Sequence, residues 1–166
     1  YIAEDLKFSN QTIKEMKINS KNFYKNIKER RSIREFSKDR IDINIIKNAI
    51  LSAGSAPSGA NLQPWHFVVI KNNNVKKKIR IEAEKEEENF YKYKAPKEWL
   101  DALTPLGTDE NKKFIENAPY LIAIFEKKFS VSKNKKIKNY YVKESVGIAT
   151  GISVSYTHLR AHETIA

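Results

Sequence analysis

Cysteine is absent from this chain of 166 residues, and histidine occurs only three times. Without cysteine the protein forms neither a disulfide nor a cysteine-ligated zinc site. Three histidines scattered along the sequence also argue against a histidine metal centre. We therefore expect no bound metal.

Long apolar runs are absent as well. The longest cover residues 66–70 and 120–125, whereas a membrane-spanning helix needs about 20 apolar residues. The first residues lack the apolar core of a secretory signal peptide. We therefore expect no membrane partner and predict a cytoplasmic protein, with a length that suits one main hydrophobic core.

Arginine is scarce in a chain that is otherwise strongly basic. Six arginines accompany 25 lysines, and the formal net charge is +11. Such a charge is compatible with nucleic-acid binding, because lysine and arginine neutralise phosphates. No recognised nucleic-acid motif accompanies it, and abundant lysine, asparagine and isoleucine are typical of an AT-rich genome. A basic nucleic-acid-binding protein is therefore a distant alternative, and no nucleic-acid partner is expected.

Capping residues and apolar spacing predict five helices. These cover residues 20–31, 42–54, 75–94, 109–117 and 140–152. Ser20, Asp42 and Asp109 are the expected N-caps of three of them. Gly147 and Gly151 should leave one face of the last helix bare for close packing against another helix.

Two continuous apolar runs between turn signals predict buried strands at residues 66–70 and 120–125. The lysine-rich residues 126–138 are expected to form a loop. Helices that alternate with apolar strands indicate an α/β or α+β layer fold.

An arginine-rich segment follows the first predicted helix. Residues 30–34 read Arg-Arg-Ser-Ile-Arg and hold three of the six arginines. Guanidinium groups offer phosphate planar, bidentate hydrogen bonds that ammonium groups cannot, and the serine adds a small donor. A basic surface turn is the alternative interpretation, and the segment alone does not decide between the two.

Residues 56–65 separate a predicted helix from a predicted strand and are rich in proline, glycine and alanine. Such residues leave the backbone open to close approach by a flat ligand. Ser58, Asn61 and Gln63 add directed polar groups. Trp65 and Phe67 are expected to be core residues rather than stacking residues.

In this order and spacing, the two segments resemble the FMN-dependent nitroreductase superfamily, with its patterns RRSxRxF and APSGxNxQPWxF. The resemblance covers residues 21–152 and implies an α+β fold, with three α/β/α layers around a mixed, mainly antiparallel sheet. It also implies a homodimer with FMN at the interface, reduced by NADPH or NADH. The implied FMN-binding residues are Arg30, Arg31, Ser32, Ile33, Arg34, Pro57, Ser58, Gly59 and Asn61.

An acidic run at residues 86–88 lies inside the basic chain. Glu87 and Tyr91 are four residues apart and share a helix face. If Lys112 converges on them, a carboxylate, a phenol and an ammonium group would bind a zwitterion. An exposed helix face carrying local pairs with Lys85 and Lys92 is the alternative interpretation.

The pattern EEExFY at residues 86–91, followed by a tryptophan and by a lysine ahead of APYLI, resembles the iodotyrosine deiodinase subfamily. The resemblance implies that Glu87, Tyr91 and Lys112 bind the amino-acid end of a halotyrosine, a small aromatic substrate, with Ala60 beside it. It implies reductive dehalogenation in which the flavin carries the chemistry, so that no side chain need be a nucleophile. A broad NAD(P)H-dependent nitroreductase or flavin reductase is the second alternative.

The resemblance stops after Ile152. Residues 153–166 lack a helical apolar period and resemble a translated sequencing adapter. The predicted organisation is an extension over residues 1–20, an incomplete FMN-binding domain over 21–152 and a non-native tail over 153–166. His158 and His162 in that tail are spaced like a metal pair, but a third ligand is lacking.

Overall fold

The computed structural model describes residues 9–37, 39–132 and 134–155. In chain order the helices and strands are α1 (Ile13–Lys28), α2 (Ile43–Gly54), β1 (Trp65–Ile70), α3 (Asn73–Asn89), α4 (Lys97–Leu103), α5 (Lys113–Asn117), β2 (Leu121–Glu126), β3 (Phe129–Ser132), β4 (Lys135–Lys138) and α6 (Val142–Ser155). Short 3₁₀ turns cover Gly59–Asn61 and Thr104–Leu106, and a π-helical turn covers Phe90–Lys94.

Helix α1 begins earlier than predicted. The Thr12 hydroxyl accepts the backbone N–H of Glu15, and the Glu15 carboxylate accepts the backbone N–H of Thr12, which forms a reciprocal capping box. The prediction that Ser20 caps this helix is wrong: Ser20 lies inside it and donates its hydroxyl to the Lys17 carbonyl. The predicted boundary of the extension at residue 20 therefore falls within a continuous helix, none of whose residues is buried.

The core lies where α2 and α6 pack together. Asp42 caps α2 as predicted, because its carboxylate accepts the backbone N–H of Asn44. Small side chains let the two helices approach closely. The buried residues of the pair are Ile46, Ala49, Ala53, Ser145, Val146, Ala149 and Ser153.

Within the described chain, α6 does not pack against another helix through its predicted glycine face. Gly147 and Gly151 are exposed, and no atom outside the helix lies within 4 Å of a Cβ built on either glycine. The helix instead turns Val146 and Ala149 inward, because these side chains bury apolar surface that glycine lacks. It also continues to Ser155, past the predicted end at Ile152.

Strands β1 and β2 form an antiparallel pair in which Trp65 lies opposite Glu126 and Ile70 opposite Leu121. Both strands lie where the apolar runs predicted them, and α6 packs against both of them. Helices around antiparallel strands confirm the α+β class. The described strands make only antiparallel pairs, so the parallel part of the predicted mixed sheet is not seen in this part of the chain.

The prediction of a loop over residues 126–138 is wrong, since β3 and β4 form an antiparallel hairpin there. Its frequent lysines hid the strands, because lysine is depleted in strands in general. The buried side chain of Asn139 stabilises the base of the hairpin. Its amide group donates to the Lys127 carbonyl at 2.6 Å, and its carbonyl oxygen accepts the Ser130 hydroxyl at 2.9 Å.

Helix α3 and the π-helical turn together match the predicted helix over residues 75–94. Asn72 caps α3 by accepting two backbone N–H groups. Asp109, by contrast, is not the cap of a helix over residues 109–117. Its carboxylate accepts hydrogen bonds from the side-chain amide and the backbone N–H of Asn111 in a local turn, and these bonds lower the pKa of Asp109. Helix α5 begins only at Lys113.

Candidate functional site

A cavity of about 920 Å³ lies between the end of α3 and the segment that leads into α5. This volume is within the range of small-molecule sites. Its lining combines charged groups with aromatic and apolar side chains. The lining residues include Arg34, Glu35, Glu86, Glu87, Phe90, Tyr91, Trp99, Thr108, Asp109, Lys112 and Lys113.

Opposite charges meet on the wall of this cavity. The Lys112 ammonium lies 3.3 Å from the Glu87 carboxylate, with 15% and 38% of the respective side chains exposed. Lys112 also donates to the backbone carbonyl of Asp109 at 2.6 Å. The Tyr91 hydroxyl lies 3.4 Å from the hydroxyl of Thr108. The three residues predicted to bind a zwitterion thus line one cavity.

The end of α3 positions two of these side chains. Glu87 and Tyr91 are one turn apart, and the π-helical turn begins at Phe90. Such a turn inserts an extra residue into a helix and is common at functional sites. The ring of Phe90 packs edge-on against Trp99 with a centroid distance of 5.1 Å, so α4 is attached to the same wall of the cavity.

Ionic contacts between α3 and α5 were not anticipated from the sequence. Lys76 is 3% exposed and donates to the carbonyls of Glu116 and Ala118 at 3.0 and 2.7 Å. Arg80 pairs with Glu116 at 2.8 Å and with Glu84 at 2.6 Å. Only the spacing of Arg80 and Glu84, four residues apart, was visible in the sequence.

The arginine segment lies only partly at the cavity. Arg34 lines it, whereas Arg30, Arg31, Ser32 and Ile33 line neither this cavity nor either of two others in the described chain. Arg31 donates to the carbonyls of Lys28 and Arg30. Within the described residues, Arg30 and Arg34 have no salt-bridge partner. Two guanidinium groups are therefore available for an anion.

The loop before β1 has an unusual backbone. Ala60, Asn61 and Gln63 have φ values of 49°, 53° and 46°, in the left-handed region that costs most residues with a Cβ about 1–2 kcal/mol and asparagine less. The Ser58 hydroxyl accepts the backbone N–H of Gln63 at 3.0 Å and so closes the loop. Strain of this kind clusters at ligand-binding segments.

Gly59 is crowded on one side of this loop. A Cβ there would lie 2.8 Å from Cδ2 of Tyr141 and 3.4 Å from the carbonyl oxygen of Tyr140. The loop is thus in contact with the start of α6. Residues 57–61 line none of these three cavities. None of the three therefore contains both this loop and the Glu87 site.

Neither a cluster of metal ligands nor a membrane-spanning helix occurs in the described part of the chain. In residues 9–37, 39–132 and 134–155, no three histidine, aspartate or glutamate side chains are grouped so that they could bind a metal ion. No helix in that part of the chain is long and apolar enough to cross a membrane. His158 and His162 lie outside the described residues.

Comparison with known proteins bears directly on these residues. Residues 27–157 match the model of the nitroreductase family. An iodotyrosine deiodinase from Haliscomenobacter hydrossis is 46% identical over 145 residues, which are 87% of this chain and 65% of that protein. An iodotyrosine deiodinase from Hydra vulgaris is 41% identical over 138 residues, 82% of this chain and 51% of that protein. The chain thus spans about half to two thirds of these curated relatives.

A solved structure is also similar. It is a crystal structure of oxidized iodotyrosine deiodinase bound to FMN and 3-iodo-L-tyrosine, with a TM-score of 0.70 and 28% identity over 82% of this chain and 69% of that one. The family match includes both the arginine segment and the loop before β1, so the predicted family resemblance is confirmed. This chain belongs to the nitroreductase family.

Proposed function

We propose that this chain is part of an FMN-dependent enzyme that removes the halogen from halotyrosines by reduction. The observation that carries the proposal is the pair of opposite charges 3.3 Å apart, formed by Glu87 and Lys112, in a cavity that also contains aromatic side chains. The similarity to iodotyrosine deiodinases at 46% and 41% identity supports it.

The charges around the cavity suit a zwitterion. Lysine and arginine contribute three positive charges and the acidic residues four negative ones, so neither sign dominates. The positive residues are Arg34, Lys112 and Lys113, and the negative ones are Glu35, Glu86, Glu87 and Asp109. A zwitterionic ligand has a net charge of zero, and each of its two charged groups could pair with a lining residue of opposite charge.

The proposed binding mode divides the amino-acid end between three side chains. The Glu87 carboxylate would accept from the ligand ammonium group, and Lys112 would donate to the ligand carboxylate. The hydrogen bond from the Tyr91 hydroxyl to the Thr108 hydroxyl is long, at 3.4 Å, and a ligand carboxylate can replace Thr108 as its acceptor. Because Glu87 and Lys112 already pair with each other, the ligand exchanges one ion pair for two and leaves neither charge unpartnered.

The arginine segment and the loop before β1 provide groups that fit FMN. Arg30 and Arg34, which have no salt-bridge partner in the described chain, together with Arg31 and Ser32 would bind the phosphate and the ring edge. Ile33 would complete that segment, and Pro57, Ser58, Gly59 and Asn61 would lie along the flat ring. When bound and reduced by NADPH or NADH, FMN supplies the two electrons that, with one proton, replace halogen by hydrogen and release halide.

A homodimer with FMN at its interface accounts for the separation of the two sites. Ala60 and its neighbours are proposed to lie beside the substrate, yet none of the three cavities described above contains both Ala60 and Glu87. A second copy would bring its own loop to the cavity. The wholly exposed helix α1 and the open glycine face of α6 provide surface for that contact.

Binding measurements on the full chain with FMN test the proposed function. Quenching of FMN fluorescence would report the affinity for 3-iodo-L-tyrosine. Glu87→Gln and Lys112→Ala should each weaken binding at least about tenfold, the effect of losing one charge-assisted hydrogen bond, while FMN stays bound. Glu88→Gln is the matched control, because Glu88 pairs with Lys92 and does not line the cavity.

Two analogues assign the charges. N-acetyl-3-iodotyrosine lacks the ammonium group and should bind Glu87→Gln at least as tightly as the wild type, because Glu87 no longer competes for Lys112. 3-Iodotyramine lacks the carboxylate and should bind Lys112→Ala at least as tightly as the wild type for the corresponding reason. Unchanged affinity of both variants for 3-iodo-L-tyrosine would overturn the proposal and favour a nitroreductase or flavin reductase with another substrate.

A further inference from the structure

Glu84 lies one helical turn before Glu87 on α3, and its two carboxylate oxygens have different partners. Oε1 accepts the backbone N–H of Lys112 at 2.9 Å, and Oε2 pairs with Nη1 of Arg80 at 2.6 Å. The hydrogen bond from the backbone of Lys112 lowers the pKa of Glu84 most, and the contact with Arg80 lowers it further. Glu84 is therefore an ionised acceptor for the main chain of Lys112.

Arg80 fixes the carboxylate in turn. Its Nε donates to Glu116 on α5 at 2.8 Å while its Nη1 contacts Glu84. The Arg80 and Glu84 side chains are only 20% and 22% exposed. Arg80 thus holds α5 through Glu116, and Glu84 holds Lys112, the residue before α5. A rotation of the Glu84 side chain would break its contact with Arg80.

Lys112 depends on this contact for its position. It precedes α5 in a non-helical conformation, with φ −119° and ψ 36°. Its backbone N–H is bound by Glu84, whereas its ammonium group reaches Glu87 three residues further along α3. One helix therefore determines both the main-chain position of Lys112 and the carboxylate that faces its charge.

We infer that Glu84 is a positioning residue for the recognition of an amino-acid zwitterion. By holding the backbone of Lys112 on the helix that carries Glu87, it sets the separation between the two charges that bind the ligand. Small displacements of binding groups weaken such recognition strongly. The inference rests on the proposed function and predicts a selective effect: ligands that carry both charges require Glu84, and a halophenol without them does not.

Three variants of the full chain test the inference. Glu84→Ala removes both contacts, and Glu84→Gln keeps an oxygen that accepts the N–H of Lys112 but loses the charge. Glu82→Gln is the control, because Glu82 lies on the same helix and pairs with the exposed Lys85. Two quantities are measured: hydrogen exchange of the Lys112 amide by NMR, and binding of 3-iodo-L-tyrosine and 2-iodophenol by FMN fluorescence.

In Glu84→Ala, the Lys112 amide should exchange at least about tenfold faster and the affinity for 3-iodo-L-tyrosine should fall at least about tenfold, with 2-iodophenol binding unchanged. Glu84→Gln should restore only part of both, because its oxygen can accept from Lys112 while its amide nitrogen cannot accept from Arg80. Glu82→Gln should match the wild type. Wild-type exchange in Glu84→Ala, or an equal loss of both ligands, would overturn the inference. If wild-type protein itself does not bind 3-iodo-L-tyrosine, the proposed function fails, while the exchange data still decide whether Glu84 holds Lys112.

Discussion

Gly59 shows how a single missing side chain shapes the loop proposed to bind FMN. The position has no room for a Cβ, since Tyr141 would lie 2.8 Å away and the carbonyl oxygen of Tyr140 3.4 Å away. The neighbouring Ala60 and Asn61 already adopt left-handed backbone conformations. The loop therefore cannot easily move aside to accommodate a larger residue.

Gly59→Ala should lower the free energy of unfolding by about 1–3 kcal/mol, as overpacking does, and should reduce the fraction of chain that retains FMN. Chemical denaturation and the flavin absorbance of the purified protein measure the two effects. Gly54→Ala is a matched control, because nothing lies within 4 Å of a Cβ at that helix end. Combining Gly59→Ala with Tyr141→Ala should recover part of the loss, and a wild-type profile for Gly59→Ala alone would contradict the crowding.

Glu84 also makes stability depend on pH. The backbone N–H of Lys112, with the nearby Arg80 and Lys113, lowers the pKa of Glu84 from 4.5. A carboxyl whose pKa is lower in the folded state stabilises the fold above pH 4.5, and this contribution is lost as the pH falls through the lowered value. The free-energy advantage of the wild type over Glu84→Gln should thus be full near neutral pH and shrink below pH 4.5 in denaturation experiments. An advantage that grew with acidity would contradict this assignment.

At the scale of elements, α3 is the scaffold of the candidate site. It carries Glu87 near the end that leads into the π-helical turn, and Lys76 near the other end. The Lys76 ammonium is buried and bonded to two carbonyls at the end of α5 and just beyond it. This contact joins α3 to the segment that leads into β2, and so connects the site to the sheet.

Lys76→Met should lower the free energy of unfolding by about 1–3 kcal/mol, because the carbonyls of Glu116 and Ala118 lose a charged donor. Lys77→Met is the matched control, since Lys77 is the next residue and is exposed. Urea denaturation of the three proteins measures the difference. Equal midpoints for the two variants would show that the hydrogen bonds of the Lys76 ammonium group contribute nothing to the free energy of unfolding.

At the scale of the whole molecule, much apolar surface remains uncovered. Helix α1 exposes Ile13, Met16, Phe23, Tyr24 and Ile27, which recur at intervals that place them on one face. Phe23 is 70% exposed. A contiguous face of this kind is typical of a protein interface, and the proposed homodimer would cover it.

Phe23→Glu should raise the dissociation constant of the proposed dimer at least about tenfold, because it removes apolar area and places a charge in the contact. Asn22→Glu introduces the same charge on the opposite side of α1 and should leave association unchanged. Sedimentation equilibrium on the FMN-loaded chain measures both. A monomeric wild type, or equal effects of the two variants, would contradict α1 as the dimer surface.

Local patterns predicted much of the secondary structure and little of its packing. Asp42 lies directly before an apolar-periodic run and caps α2 as expected. The Ser20 prediction failed because the Thr12 and Glu15 pair satisfies two donors where Ser20 offers one acceptor. The hairpin at β3 and β4 was missed because lysine is depleted in strands and because Asn139, which stabilises its base, has its partners at residues 127 and 130.

The candidate site was predictable in its residue types rather than in its arrangement. The types and order of residues 30–34, 56–67 and 86–112 indicated the family, since side-chain chemistry and spacing are written directly in the chain. Only the tertiary structure brought the Lys112 ammonium group to within 3.3 Å of the Glu87 carboxylate and the Glu84 carboxylate within hydrogen-bond distance of the Lys112 backbone N–H. Those contacts join residues 25 or more positions apart, and their geometry depends on how α3 packs against α5. The sequence by itself determined the chemistry available, whereas packing decided which groups meet.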